Sequence, residues 1–304
     1  MLVVSCIPVK AFQKATVPIF IVGCVLLLLT HFFGVTVKGA TRWLNVGVRI
    51  QPSELMKLAV PMMLAWYYNV RGENVCNWDH LTAFIIMAVP VGLIVKQPDL
   101  GTSILVLIAG ASVIFFAGLS KRILVSLTGI LILSMPVIWS LMHDYQRQRV
   151  LTLLDPSADP LGKGFHILQA LIAIGSGGLL GLGLGKSRQK FLFLPEEHND
   201  CIFSIICEEL GLIGATLIMA IFALLIIRGY WIALHARDRF GSLLVVGITT
   251  QIALQVFLNI AVVTNLVPNT GISLPFFSFG GTALAIQLAE MGVVLSVSRQ
   301  MPPG

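Results

Sequence analysis

Three observations predict an all-α, polytopic integral membrane protein with about eight transmembrane helices and one large extracytoplasmic loop. Of 304 residues, 57% are hydrophobic and only 11% are charged, against about 25% charged in a soluble chain. Mean hydropathy is +0.92, more apolar sequence than a soluble core absorbs but suited to a bilayer, where lipid replaces the missing interior. The apolar residues also fall into eight stretches, near 16–33, 53–70, 80–95, 101–119, 123–142, 201–229, 242–265 and 281–298. A spanning helix needs about 20 such residues, which these stretches supply, some with help from their flanks.

Taken in order, Met1–Val9 is too short to span and reads as the tail of a longer segment whose beginning is absent. No basic region precedes it, so it is not read as a signal peptide. Pro61, Pro90 and Pro136 fall inside three of the spans, where neighbouring helices can satisfy the freed carbonyls. Eight crossings place Lys10, Lys14, Arg71, Lys121, Arg122, Arg228, Arg237, Arg239 and Arg299 on one side, and Lys38, Arg42, Arg49 and Lys96 in the short loops of the other. The basic excess assigns the first side to the cytoplasm and puts the long 143–200 loop outside. With no internal repeat, coiled coil or low-complexity tract, residues 1–304 read as one integral membrane domain. The formal net charge is +6, but the basic residues sit between apolar runs and form no stripe, which argues against nucleic acid. Five cysteines, an odd number with no CxxC, give neither a disulfide framework nor a zinc site.

The 143–200 loop is too long to be filler. It holds an apolar helical run at Phe165–Ile174, the glycine-rich stretch Gly175–Gly185, and Lys186-Ser187-Arg188-Gln189-Lys190. Gly185-Lys186-Ser187 has the ending of a phosphate-binding loop, but Leu180 stands where that pattern needs glycine and no strand precedes it. The glycines are read instead as permitting close packing at the membrane surface. Glu196-Glu197-His198-Asn199-Asp200 precedes an apolar run. It reads equally as a helix N-cap and as a poorly solvated carboxylate able to act as a base. Glu197, His198 and Asp200 lack any diagnostic metal-ligand spacing. In Gln51-Pro52-Ser53-Glu54-Leu55-Met56-Lys57, Glu54 and Lys57 share a helix face, either bracing two helices or lining a polar cavity. Gln97-Pro98-Asp99-Leu100-Gly101 reads as a turn. Glu208 and Glu209 lie two turns into the sixth span, and Glu290 is an isolated intramembrane acid to which the sequence assigns no role. Pro268–Gly281 is an uncharged loop, either a re-entrant turn or one wall of an apolar groove open to lipid.

In order from residue 38 to the C-terminus, these pieces resemble the SEDS family (shape, elongation, division and sporulation proteins), which includes FtsW, RodA and SpoVE. The matching segments are Lys38-Gly39-Ala40-Thr41-Arg42-Trp43-Leu44, Gln51–Lys57, Gln97–Gly101, Asp159-Pro160-Leu161-Gly162-Lys163-Gly164-Phe165, Gln189–Pro195, Asp200 with Ile202-Phe203, Glu208-Glu209-Leu210-Gly211 and Leu274–Gly281. The resemblance implies a ten-helix fold, of which this chain would hold an incomplete version from the third helix to the tenth. It implies a glycosyltransferase that polymerises lipid II into peptidoglycan strands, partnered by a class B penicillin-binding protein. It makes Asp200 the catalytic base, and Arg42, Lys163, Arg188 and Lys190 candidates to offset charge on the pyrophosphate leaving group. Glu54 and Lys57 would face the central cavity. Gln97, Asp99, Ser278, Gly280 and Gly281, which lie in the matching motifs, join them as substrate-binding candidates. A divalent cation, Mg or Mn, is compatible with a pyrophosphate, though no ligand set for it is read from the sequence. Asn199, Cys201 and Phe279 stand where the family usually has Thr, Phe and Tyr. Lys186–Lys190 and Ser298-Arg299 are similar to the FtsW/SpoVE branch, which is favoured, while Ala173–Gly178 also suits RodA. Two other classes remain open: a lipid II flippase built on the Glu54–Lys57 cavity, and a non-catalytic scaffold for the penicillin-binding protein.

Overall fold

The computed structural model describes residues 1–37, 40–72, 75–119, 165–187, 200–268 and 271–301, with isolated positions between 120 and 164. The helices are α1 (Leu2–Ser5), α2 (Val9–Phe33), α3 (Pro52–Arg71), α4 (Asn77–Lys96), α5 (Leu100–Phe116), α6 (Phe165–Ser176), α7 (Ile202–His235), α8 (Arg239–Val263) and α9 (Gly281–Arg299). Five of them, α2, α4, α7, α8 and α9, are long and apolar enough to cross a membrane. Helix α5 is apolar but has 17 residues, and α3 carries Glu54, Lys57 and Arg71. Helices therefore lie at seven of the eight expected spans, and 123–142 lies mostly outside the described residues.

The class is helical as expected, with one addition. Strands β1 (Val35–Val37), β2 (Ala40–Val46) and β3 (Val48–Ile50) form an antiparallel sheet between α2 and α3. Thr36 pairs with Thr41 and Asn45 with Arg49. Strands this short carry too few alternating residues for a period-2 signal to stand out from a loop. The turn between β2 and β3 is the single residue Gly47, at φ +79°.

The chain forms two compact units: Met1–Leu119, Leu224–Leu254 and Gly280–Gly304 in one, Ser120–Ala223 and Gln255–Phe279 in the other. In the first, α3 is the central element, packed by α2, α4, α5 and α9. Pro52 occupies its first turn, where a missing N–H costs nothing. Because protein surrounds it, α3 can hold buried charge that a lipid-facing helix could not. Two flanking helices begin with side-chain caps. Asp79 accepts from Cys76 N–H at 2.9 Å on α4, and Asp99 accepts from Thr102 N–H at 3.3 Å on α5.

In the second unit, α7 is broken at Gly211, whose φ of +67° and ψ of −169° are not helical. The break frees backbone groups, and the glycine-rich segment after α6 takes them up. Leu182 and Gly183 donate to the carbonyls of Glu208 and Glu209 at 2.9 and 3.0 Å, while Leu212 and Ile213 donate to those of Gly178 and Leu179 at 2.9 and 3.2 Å. A Cβ on Gly211 would run into the backbone of Leu179 and Gly181, so the exchange requires glycine there. The expectation of close glycine packing is met, against a helix break that the sequence did not reveal. Ser187 then donates to the buried Glu208 carboxylate at 2.5 Å.

Candidate active site

In the second unit the site begins at Asp200, which sits in a turn just before α7. Two amides in the first turn of that helix, Ser204 and Ile205, bond to the carbonyl of Cys201. A donor arrives from α8: Asn259 Nδ2 donates to Asp200 O at 3.1 Å and to Ile272 O at 2.8 Å. One turn earlier, Gln255 Nε2 donates to Ser273 O at 2.9 Å and to Ser273 Oγ at 3.4 Å. The segment before the carboxylate's helix and the segment around residue 272 are thus both tied to one face of α8. Gly271 has φ +69°, and a Cβ there would stand 3.7 Å from Asp200 Oδ2, so any side chain at 271 would touch the carboxylate. Farther along, Ser278 closes a turn: its Oγ accepts from Leu274 N–H at 2.7 Å and its N–H donates to Leu274 O at 3.1 Å. Phe276 in that turn has φ +65°, a conformation costing roughly 1–3 kcal/mol for a non-glycine residue and concentrated at functional sites. Phe277 packs on Phe222 with ring centroids 6.0 Å apart.

The first unit holds two further polar clusters. At the turn between α4 and α5, the Arg42 guanidinium donates to Gln97 O at 3.4 Å and to Pro98 O, and lies 3.7 Å from the Asp99 carboxylate. Gln51 Nε2 and Ser53 Oγ donate to the other Asp99 oxygen at 3.1 and 3.4 Å. Gln97 Nε2 donates to Leu27 O on α2 at 2.9 Å. Arg42, Gln97 and Asp99, candidates from two separate motifs, therefore come together, with the guanidinium engaged in bracing the turn. Its side chain is still 29% exposed.

Deeper in α3, Lys57 Nζ lies 2.8 Å from both oxygens of Glu54, and both residues are buried. The shared helix face is as expected. Glu290, unassigned from sequence, comes from α9 into the field of Lys57 and Glu54. Gln251 Nε2 of α8 donates to its Oε1 at 2.8 Å. Gly280 caps α9 and Gly281 opens it, with open space where a Cβ would stand on Gly281. Lys163, Arg188, Lys190, Glu197 and His198 lie outside the described residues. Among the described residues no group of three or more His, Cys, Asp or Glu could hold a metal.

The model of the FtsW, RodA and SpoVE family, described as cell cycle proteins, matches residues 1–302. The chain belongs to this family. It is 43% identical over 303 residues to the peptidoglycan glycosyltransferase MrdB of Escherichia coli K12, covering 98% of this chain and 81% of that protein. It is 40% identical over 311 residues to a probable peptidoglycan glycosyltransferase FtsW of Geobacter metallireducens, covering 99% and 81%. Stage V sporulation protein E of Bacillus subtilis is 44% identical over 286 residues, covering 90% and 75%. These identities are nearly equal across the three names. Among solved structures, a chain of a peptidoglycan synthase complex that coordinates polymerization and crosslinking superposes with a TM-score of 0.83 at 30% identity, covering 98% of this chain and 84% of that one. The rod shape determining protein RodA of Thermus thermophilus gives 0.72 at 27%, covering 99% and 83%.

The sequence reading missed Gln251, Gln255 and Asn259 of α8, although their signal was present. Three carboxamides stand four residues apart in an otherwise apolar run, which puts them on one helix face.

Proposed function

We propose that this SEDS-family chain is a peptidoglycan glycosyltransferase that polymerises lipid II at the outer face of the cytoplasmic membrane, with Asp200 as its general base. The observation that carries the reading is the placement of Asp200: a carboxylate held through its backbone by α8, with a glycine, Gly271, at the neighbouring position where a side chain would touch it. Membership in the family supplies the reaction class. Asp200 takes the proton from the acceptor sugar hydroxyl of one lipid II as that oxygen bonds to the anomeric carbon of the growing strand. The bond from that carbon to undecaprenyl pyrophosphate breaks, and the pyrophosphate leaves with the electron pair. Lys163, Arg188 and Lys190 would meet its charge, while Arg42 would do so only with the part of its guanidinium not holding the Gln97–Asp99 turn. Gln97, Asp99, Glu54 and Lys57 in the first unit, and Ser278, Gly280 and Gly281 in the segment before and at the start of α9, are the candidate contacts for lipid II. The described residues offer no ligand set for Mg or Mn, and no step here uses one. Residues 143–200 form the extracytoplasmic loop of a single integral membrane domain, and a class B penicillin-binding protein is the partner.

The test is polymerisation of lipid II by the purified chain with that partner, against Asp200→Asn. Removing a general base costs about 10²–10⁴-fold in rate. Normal glycan strands from the variant would sink the assignment. Protein-dependent movement of lipid II across vesicles without polymer would replace it with the flippase reading.

A further inference from the structure

We propose that Asn259 is a positioning residue for the reaction, holding the backbone of Asp200 against the 271–273 segment so that the carboxylate stands where the acceptor hydroxyl arrives. The inference rests on Asp200 being the base. Asn259 is 1% exposed and lies in the last turns of α8. Its amide has two hydrogens, and each goes to a different segment beside the carboxylate: one to Asp200 O, one to Ile272 O. Its own oxygen has no partner among the described residues, so donation is what the side chain contributes.

Asp200 lies just before α7, whose amides at Ser204 and Ile205 bond to Cys201 O, and Asn259 brings the Asp200 carbonyl a donor from a different helix. Without Asn259 that peptide unit would lose its donor from α8, and the carboxylate it carries would shift. The opposing segment would loosen less, since Gln255 also secures Ser273. A base acts only within hydrogen-bond reach of the proton it takes, and a shift of about 1 Å can cost 10²-fold in rate. Asn259 reaches main-chain carbonyls from within the protein and has no exposed face to offer a substrate. Its loss should therefore lower kcat and leave KM alone.

The experiment measures kcat and KM for lipid II, and thermal unfolding, on the purified full chain with its partner. The variants are Asn259→Ala, Asn259→Asp, Asp200→Asn and the pair Asp200→Asn/Asn259→Ala. Asn259→Ala is expected to lower kcat about 10- to 100-fold with KM close to wild type and a melting temperature lowered by only about a few degrees. Asn259→Asp keeps the size but offers at most one O–H in place of two N–H donors, so it cannot tie both segments and should also lower kcat. In the Asp200→Asn background, Asn259→Ala should add no further loss, as for residues that act as a unit. Wild-type kcat in Asn259→Ala beside an inactive Asp200→Asn would overturn the proposal and leave the base assignment standing. An active Asp200→Asn would overturn both. Failure of both Asn259 variants to fold, or equal damage to kcat, KM and melting temperature, would mean a purely structural role and would also overturn it.

Discussion

Lys57 is paired with one buried carboxylate and lies in the electrostatic field of a second, and this makes the effects of neutralising each charge unequal. Its ammonium sits 2.8 Å from both oxygens of Glu54 and also acts on Glu290; its exposure is 2%. Lys57→Met keeps most of the length and apolar stem but strands Glu54 and Glu290 without their counter-charge. Removing one partner of a buried pair costs about 3–5 kcal/mol, because the remaining charge is uncompensated. Glu54→Gln leaves Lys57 an amide oxygen to donate to and Glu290 to balance its charge, so the cost should be nearer that of a weakened hydrogen bond, about 1–3 kcal/mol. The double variant should be more stable than Lys57→Met alone, since it strands one carboxylate instead of two. The coupling should exceed the roughly 0.5 kcal/mol within which independent sites add. Equilibrium unfolding of the purified protein in mixed micelles, followed by the fluorescence of its five tryptophans, gives all three values. A Glu54→Gln variant as unstable as Lys57→Met, or costs that simply add, would refute the shared-cation argument.

Three further outcomes follow from the same geometry. Glu290→Ala should cost about 1–3 kcal/mol in the same unfolding assay by leaving the buried Gln251 N–H donor unmatched, whereas Glu290→Gln, which keeps an acceptor oxygen, should cost less than half as much. Gly211→Ala forces a side chain into a position at φ +67° that is already filled by the backbone of Leu179 and Gly181. The glycine-rich segment should be displaced, and protease cleavage between residues 177 and 187 should rise well above wild type. Ser187→Ala should destabilise by about 1–3 kcal/mol, because the buried Glu208 carboxylate loses a hydroxyl donor; hydrogen exchange at Leu182 and Gly183, whose amides bond to the same stretch of α7, should quicken.

How much of this was legible in the sequence depends on the length over which a signal accumulates. The helices were readable because about 20 apolar residues make a crossing, and α2, α4, α8 and α9 each exceed or approach that length. The three strands were not, with seven residues in the longest. The break at Gly211 was hidden because glycine is ordinary in spanning helices. The distant 178–183 segment, by accepting and donating at the break, stabilises it. At the site, Asp200 and the Glu54–Lys57 pair stood out as charge in apolar surroundings, and the order of the motifs suggested Arg42, Gln97 and Asp99. What the Arg42 guanidinium does could not be read, because its partners are two main-chain carbonyls as well as Asp99. Main-chain partners leave no trace in residue type.

Main-chain partners also account for the character of α8. Gln251, Gln255 and Asn259 are buried in an apolar helix, where a polar group without a bond costs several kcal/mol. All three donate through the amide nitrogen, to Glu290, to Ser273, and to Asp200 and Ile272. In all three the amide oxygen has no partner among the described residues. Side chains kept only to satisfy themselves would use both ends. These use the end that reaches carbonyls of irregular backbone or a carboxylate, the groups a helix cannot satisfy internally. The polar stripe of α8 therefore acts as a set of fixed donors that secure what is least regular around it, and Asp200, at the end of a long loop, is held from the rear by a regular helix.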